Sequence, residues 1–177
     1  RRQRQMCIRD RPANVTVVAD VGQNQIWTCT EYKFRKEGRL LTSGGMGTMG
    51  YSVPAAIGAK MADNSRATVA ICGDGAFQMS FMELATAVQF GVDIKVVVMT
   101  NNRLGMVREL QTNGYHDRQT AVFLDGSPDF IKLAEAYGIP AMRVYDDDTM
   151  EKGVEMLAEH KGICLVEVVV DKDMPTL

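Results

Sequence analysis

The sequence has little of what marks several common classes of protein. Aromatic residues make up only 7% of its 177 residues, the formal net charge is −2, and there are two histidines. No apolar run approaches the roughly 20 residues that cross a bilayer, so we expect no membrane partner. The nearly balanced charge offers nucleic acid no basic surface, so we expect no nucleic-acid partner either.

The four cysteines are too scattered to build a metal knuckle or a disulfide framework. They stand at positions 7, 29, 72 and 164. This spacing is typical of a protein in a reducing compartment, and we predict a cytoplasmic location. The remaining composition, 46% hydrophobic and 24% charged, fits one α/β domain.

Positive charge is concentrated in the first twelve residues. RRQRQMCIRDRP holds five arginines and one aspartate, a charge of +4 that leaves −6 for the rest of the chain. A transit peptide would be rich in serine, and this segment has none. We predict that residues 1–12 are a non-native or disordered basic arm and that residues 13–177 form the folded domain.

From residue 14 onward, short apolar runs alternate with amphipathic segments. The apolar runs are rich in β-branched residues and span 15–20, 67–72, 94–99 and 163–170. Nearly continuous apolar strands are buried on both faces, which predicts a parallel sheet. The amphipathic segments predict helices over 52–62, 80–90, 129–137 and 148–160. The fold class is therefore α/β, with an open, mostly parallel sheet and helices on both faces.

Polar and glycine-rich clusters follow the predicted strands, where parallel sheets bind their ligands. After the strand ATVAIC stands Gly73-Asp74-Gly75, and Asn101 follows the next strand, 27 residues after the aspartate. One crossover joins the two strands, so both side chains are expected at the same sheet edge. Carboxylate and amide oxygens suit Mg²⁺, and the flanking glycines let a diphosphate approach the backbone. The pattern predicts a metal-bridged diphosphate site.

These residues resemble the thiamine diphosphate signature. The surrounding sequence is similar to the catalytic subunit of acetolactate (acetohydroxyacid) synthase. The similar stretches are TSGGMGTMGYSVPAAIGA at 42–59, GDGAFQMSFMELATAV at 73–88 and LGMVRE at 104–109. The resemblance covers residues 14–177. It implies the thiamine diphosphate-binding fold and a C-terminal domain whose N-terminal and middle domains are missing from this chain.

Carried over by position, the resemblance implies a set of site residues. The Mg²⁺ ligands would be the side chains of Asp74 and Asn101 and the carbonyl of Arg103. Leu110 stands where the family commonly has a tryptophan in the substrate channel, and Asn24 where it often has histidine. The cofactor-binding residues would further include Gly22, Gln23, Gly47, Met49, Gly73, Gly75, Ala76, Leu104, Gly105 and Met106.

The resemblance also implies an activity. It is the condensation of two 2-keto acids with loss of CO₂, giving 2-acetolactate or 2-aceto-2-hydroxybutyrate for branched-chain amino acid biosynthesis. The catalytic glutamate of the family belongs to the N-terminal domain, so no catalytic residue is expected here, and Glu83 and Glu109 are interpreted as structural. FAD in the missing middle domain, a homodimer or homotetramer and a regulatory small subunit are further expectations.

Other interpretations compete with this one. Pyruvate oxidase, sulfoacetaldehyde acetyltransferase, glyoxylate carboligase and 2-keto acid decarboxylases share the metal motif, and a module that has lost its activity would retain the fold. Residues 45–50 also spell GxGxxG, with Asp74 at roughly the spacing of a dinucleotide fingerprint. The preceding RLLT at 39–42 is predicted to be a poor strand, and an NAD site would leave Asn101 without a purpose.

Overall fold

Six parallel strands form the centre of the computed structural model, which describes residues 14–33 and 37–176. The predicted basic arm, residues 1–12, lies outside the described residues. The strand order is β2-β1-β3-β4-β6-β5, and every pair is parallel. The strands are β1 (Val15–Ala19), β2 (Arg39–Thr42), β3 (Ala67–Gly73), β4 (Lys95–Thr100), β5 (Ala141–Val144) and β6 (Cys164–Val169).

Helices connect the strands, and a 3₁₀ turn at Phe81–Glu83 precedes one of them. The helix predicted over 52–62 is observed with those bounds, whereas the one predicted over 80–90 is divided by the 3₁₀ turn. None of the helices in the described part of the chain is long and apolar enough to cross a membrane. The helices are α1 (Gln23–Glu31), α2 (Ser52–Ala62), α3 (Asp74–Gln78), α4 (Leu84–Gln89), α5 (Gly105–Gly114), α6 (Phe130–Ala136) and α7 (Asp147–Glu159).

Helices cover both faces of the sheet, as predicted. Successive residues of a strand point to opposite faces, and in β6 both are buried. Leu165 belongs to the cluster that contains Phe130 and Ala134 of α6. Its neighbour Val166 packs with Met150 of α7. Because the two faces of one strand have separate apolar partners, the sheet forms a central layer between helices.

Two strands were missed by the sequence analysis. Residues 39–42, predicted to be a poor strand, form β2, which pairs only with β1 through registers such as Val17↔Leu40. β5 pairs only with β6. Both are four-residue edge strands, and their apolar runs are too short to predict a strand. Each is held in the sheet by hydrogen bonds to a neighbouring strand, and a local sequence pattern carries no information about that neighbour.

The strand order changes direction between β1 and β3. From β1 the chain goes to β2 on one side, and then returns to place β3 on the other side of β1. Ligands of open parallel sheets bind at such a switch point, beyond the carboxyl ends of the strands. The backbone N–H of Asp20 extends the pairing by donating to the carbonyl of Ile71 at 2.8 Å. The chain segments after β1 and β3 therefore leave the sheet side by side.

Candidate functional site

A cleft lies at this switch point, between the loops that follow β1, β3 and β4. All of the predicted cofactor residues except Gly47 line it. Residues that the sequence analysis missed also line it, including Trp27, Met99 and Val170. The clusters that the sequence places after separate strands thus meet in one cavity.

Asp74 lies at the base of the cleft and is 2% exposed. Its Oδ2 accepts hydrogen bonds from the backbone N–H groups of Asn101 at 3.1 Å and Asn102 at 2.6 Å, and its Oδ1 from that of Gly75 at 2.8 Å. Among the described residues, no lysine or arginine forms an ion pair with it. Desolvation raises the pKa of this carboxyl even though the backbone donors oppose the rise. A buried carboxylate without a cationic partner is suited to a metal ion.

Two hydrogen bonds orient the Asn101 carboxamide, one accepted by its oxygen and one donated by its nitrogen. Its Oδ1 accepts from the backbone N–H of Arg103 at 3.1 Å, and its Nδ2 donates to Oε1 of Gln23 at 3.3 Å. The predicted neighbours Asp74 and Asn101 are in fact joined, because the Asn101 backbone donates to the Asp74 carboxylate. Within the described residues, no three His, Cys, Asp or Glu side chains are grouped so that they could hold a metal ion. A metal here would therefore depend on amide and carbonyl oxygens beside the one carboxylate, a donor set that fits Mg²⁺.

Glycine is required at position 75 by the side chains around it. A Cβ there would lie 2.7 Å from Cδ2 of Leu104, 3.2 Å from Cδ1 of Leu124 and 3.2 Å from Cε of Met49. These three apolar side chains converge over the glycine. Leu124 comes from the long segment between α5 and α6, where only tertiary packing could identify it. Its backbone N–H donates to the carbonyl of Asn102 at 3.0 Å.

Glycine is required at position 105 for a similar reason. A Cβ there would lie 1.8 Å from Oε1 of Gln23, so the Gln23 carboxamide rests directly on the start of α5. Helices α1 and α5 both begin at the cleft, with Gly22 and Leu104 as their N-caps. Helix N-termini carry free N–H groups and partial positive charge, which favours anions. The cleft thus combines a cation site with an anion site.

Asp20 supports the site and was missed by the sequence analysis. It follows β1 and is fully buried. Its carboxylate accepts from the backbone N–H groups of Val21 at 2.9 Å, Gly50 at 3.0 Å and Ser52 at 2.7 Å. It therefore ties the glycine-rich loop, with Met49, to the end of β1. A charged residue directly after an apolar strand was the signal available in the sequence.

The same contacts argue against a dinucleotide at the glycines of 45–50. In a dinucleotide site, the N-terminus of the helix that follows the glycines binds the pyrophosphate. Here the Asp20 carboxylate occupies the start of α2, so a second anion would be repelled. Asp74 follows β3, and β3 does not neighbour β2, the strand that precedes the glycines, because β1 lies between them.

Three predicted residues have other surroundings. Gly47 has a φ of +63° and lies outside the lining of the cleft. The Leu110 side chain is 61% exposed, one helical turn beyond the part of α5 that lines it. Asn24 lines the cleft, but its Nδ2 donates to the carbonyls of Asp20 at 2.9 Å and Ile71 at 3.3 Å. It braces β1 against β3.

Glu109 and Glu83, which the sequence analysis interpreted as structural, both accept hydrogen bonds from neighbouring side chains. Glu83 accepts from the Thr86 hydroxyl at 3.1 Å. Glu109 accepts from Gln23 at 3.3 Å and from both the backbone and the hydroxyl of Thr176. Partial burial raises the pKa of Glu109, but the bonds from Thr176 and Gln23 outweigh it and hold that pKa below its usual value.

Comparison with known proteins agrees with this geometry. Residues 20–168 match the family described as "Thiamine pyrophosphate enzyme, C-terminal TPP binding domain". The chain is 42% identical over 168 residues to the acetolactate synthase catalytic subunit, mitochondrial, of Aspergillus candidus, covering 95% of this chain and 24% of that protein. It is 42% identical over 156 residues to the acetolactate synthase large subunit of Lactococcus lactis, covering 88% and 27%.

A more distant relative is the acetolactate synthase isozyme 2 large subunit of Escherichia coli, 36% identical over 162 residues, covering 92% of this chain and 30% of that protein. The chain thus spans about a quarter of the length of the curated relatives it matches. The match with the family covers most of the chain and includes both Asp74 and Asn101. The chain belongs to the family of C-terminal TPP-binding domains of thiamine pyrophosphate enzymes.

Proposed function

We propose that this chain is the cofactor-binding part of an acetolactate synthase catalytic subunit. The complete protein would condense two molecules of pyruvate to 2-acetolactate, or pyruvate with 2-ketobutyrate to 2-aceto-2-hydroxybutyrate, with loss of CO₂. The observation that carries the proposal is the hydrogen bond from the Asn101 backbone N–H to the Asp74 carboxylate in the switch-point cleft. The sequence identity of 36–42% to acetolactate synthase subunits supports the choice of reaction.

The residues of the cleft divide into two groups of binders. Asp74, Asn101 and the carbonyl of Arg103 would hold Mg²⁺, which suits their hard oxygen atoms. The diphosphate would lie against the first turns of α1 and α5, where Gly22, Gln23, Gly105 and Met106 line the cavity. The glycines admit the phosphate oxygens to the backbone, since a side chain at either position would collide with Asn24 or Gln23.

The apolar side chains of the cleft would orient the ring portion of the cofactor. When bound, thiamine diphosphate supplies the electron sink for decarboxylation of the keto acid. Met49, Leu104 and Leu124 would exclude water beside it, and the Gly47 carbonyl would accept a hydrogen bond from its amino group. Asp20 holds the loop that carries both Gly47 and Met49. We propose that the catalytic glutamate is supplied from outside these residues.

The remaining proposals concern the complete protein. We propose a homodimer or homotetramer with 2-keto acid substrates, a regulatory small subunit, FAD bound outside this domain and a cytoplasmic location. Some of the curated relatives carry the word mitochondrial in their names, and others do not. Light scattering, flavin fluorescence and cell fractionation of the complete gene product test these proposals separately.

A thermal shift experiment tests the cofactor site. The chain is heated with thiamine diphosphate in Mg²⁺ or in chelator, and with NAD as a competing ligand. A ligand at about 100 times its Kd stabilises a protein by about 2.7 kcal/mol, which raises the Tm of a domain this size by several degrees. We expect a Mg²⁺-dependent shift that is lost in Asp74→Ala and kept in the exposed control Asp148→Ala. A shift with NAD alone contradicts the proposal.

The substrate channel is tested in the complete enzyme. Leu110 is smaller than tryptophan and cannot stack on a substrate, so Leu110→Trp is expected to change the product ratio when pyruvate and 2-ketobutyrate compete. The same product assay distinguishes acetolactate synthase from the other thiamine diphosphate enzymes. An unchanged ratio removes Leu110 from the proposed channel, and the absence of acetohydroxy acids overturns the proposed reaction.

A further inference from the structure

A chain of hydrogen bonds leads from Glu109, in the middle of α5, to the proposed metal ligand Asn101. Asn101 donates through Nδ2 to Oε1 of Gln23, and Gln23 in turn donates through Nε2 toward Glu109 at 3.3 Å. The same Nε2 lies 3.0 Å from the carbonyl oxygen of Met174 and 3.1 Å from Oγ1 of Thr176. Gln23 is 5% exposed, so solvent cannot readily replace these partners.

The chemistry at the two ends fixes the direction of the whole chain. A carboxylate and a backbone carbonyl only accept hydrogen bonds, so the NH₂ group of Gln23 must face Glu109 and Met174. Its oxygen then faces Asn101, whose NH₂ group must turn toward it. At the other end, the Arg103 N–H can only donate, and it requires the Asn101 oxygen. Both amides therefore have a single orientation that satisfies every partner.

We propose that Glu109, with the carbonyl of Met174, is a positioning residue that fixes the carboxamide of Gln23 and, through it, turns the amide oxygen of Asn101 toward the metal site. This inference rests on the proposed function, since Asn101 is a metal ligand only there. Glu109 lies away from the lining of the cleft and so acts through Gln23.

Residues 174–176, which we call the tail segment, hold Glu109 in turn. The Thr176 backbone N–H donates to Oε1 of Glu109 at 3.1 Å, and its hydroxyl donates to Oε2. Trp27 of α1 donates through Nε1 to the Pro175 carbonyl at 3.3 Å, and Arg108 of α5 through Nη2 to the Met174 carbonyl at 3.4 Å. The tail segment thus joins the two helices that begin at the cleft.

The substitution Glu109→Gln tests the proposal because it replaces one of the two acceptor oxygens with an NH₂ donor and changes the shape little. The Thr176 backbone N–H can only donate and keeps the remaining oxygen facing it, so the new NH₂ group faces the NH₂ group of Gln23. The Met174 carbonyl is then the only backbone or charged acceptor among the described partners that still fixes the Gln23 carboxamide from this end. We expect the side-chain amide NMR signals of both Gln23 and Asn101 to move, and their exchange with solvent to accelerate about tenfold. The matched control Glu83→Gln leaves these signals unchanged.

Metal binding by the complete 177-residue polypeptide gives a second test of the proposal. Mg²⁺ is titrated in the presence of inorganic diphosphate, with the fluorescence of Trp27 as the signal. We expect Glu109→Gln to raise the Mg²⁺ concentration at half-saturation about tenfold, and Glu83→Gln to leave it unchanged. Unchanged Asn101 signals in a folded Glu109→Gln chain overturn the positioning role, since loss of a purely structural contact would lower the Tm without moving them.

Two further outcomes keep this proposal separate from the proposed function. If Glu109→Gln does not fold, Thr176→Val decides, because it removes one donor to Glu109; smaller shifts of the same Asn101 signals support the proposal, and unchanged signals overturn it. If the unsubstituted chain binds diphosphate without any dependence on Mg²⁺, the proposed metal site fails. The amide signals then decide on their own whether Glu109 orients Asn101.

Discussion

The Asp20 carboxylate is the buried charge on which the glycine-rich loop depends. It has no exposed surface and three backbone N–H donors. In Asp20→Asn, an NH₂ group replaces one oxygen and faces a donor, most simply the N–H of Ser52. We expect a loss of about 1–3 kcal/mol in the free energy of unfolding, measured by urea denaturation. The exposed control Glu151→Gln should stay within about 0.5 kcal/mol. A loss as small as the control's would show that the loop does not depend on this carboxylate.

Gly105 provides a residue-scale test of close approach in the cleft. In Gly105→Ala, the added methyl group displaces the Gln23 carboxamide, which a Cβ would approach to 1.8 Å. We expect Mg²⁺-dependent diphosphate binding to weaken at least tenfold in isothermal titration calorimetry, because Gln23 lines the site. Gly114→Ala is the control on the same helix, where a Cβ meets nothing within 4 Å. It should bind normally and gain up to about 1 kcal/mol in stability. Equal binding by the two variants would contradict the close approach.

The buried cysteines give a residue-scale prediction about pH. Cys164 is buried, and desolvation raises the pKa of its thiol to about 11. Desolvation and the nearby Asp20 carboxylate also raise the pKa of the buried Cys72 thiol. A raised pKa lowers the thiolate fraction, so raising the pH from 7 to 9 should leave both thiols unlabelled by maleimide in the native chain. The exposed Cys29 should react. Mass spectrometry before and after unfolding measures this, and native labelling of Cys72 would contradict it.

At the scale of elements, Lys95 joins the start of β4 to the end of α7. Its Nζ donates to the carbonyls of His160 at 2.8 Å and Gly162 at 2.6 Å, and it pairs with Asp93 at 2.5 Å. Lys95→Met leaves these carbonyls without a donor. We expect it to lower the free energy of unfolding by about 1–3 kcal/mol in urea, with the exposed Lys132→Met as control. Equal stability of the two variants would show that Lys95 contributes nothing beyond its aliphatic stem.

The helix starts show which features a local sequence pattern can predict. The helix predicted over 148–160 is observed as α7, and Asp146 is its N-cap, where it forms a capping box with Thr149. Hydrogen bonds from Thr149 lower the pKa of Asp146. By contrast, α1 and α5 begin in polar, glycine-rich sequence and were missed. Their start positions depend on the strands that precede them.

At the scale of the whole molecule, one sheet connects all the packing. The two apolar clusters share β6, since Leu165 belongs to one and Val166 to the other. We therefore expect a single unfolding transition. Far-UV circular dichroism and the fluorescence of Trp27, the only tryptophan, should give coincident urea curves. An earlier fluorescence transition would show that α1 and the tail segment unfold separately from the sheet.

The amino-acid pattern was enough to predict the parallel sheet, four of its strands and the proximity of Asp74 to Asn101. These follow from β-branched apolar runs and from a crossover whose length fixes which strand ends are neighbours. The sequence did not predict the edge strands β2 and β5, because a four-residue run is too short to indicate a strand. These residues are extended because they pair with β1 and β6.

The residues that support the site could be identified only from the packing of the folded chain. Leu124 and the tail segment are far in sequence from the residues they contact, and nothing in their local patterns marks them. Asp20 is marked only as a charged residue after an apolar strand, and its partners Gly50 and Ser52 lie about 30 residues away. Glu109 was interpreted as structural from its place on a helix, and its partners Gln23 and Thr176 could not be known from the sequence. The polarity of a hydrogen-bond chain depends on which acceptors and donors meet at its ends, and folding alone brings residues 23, 101, 109 and 174–176 together.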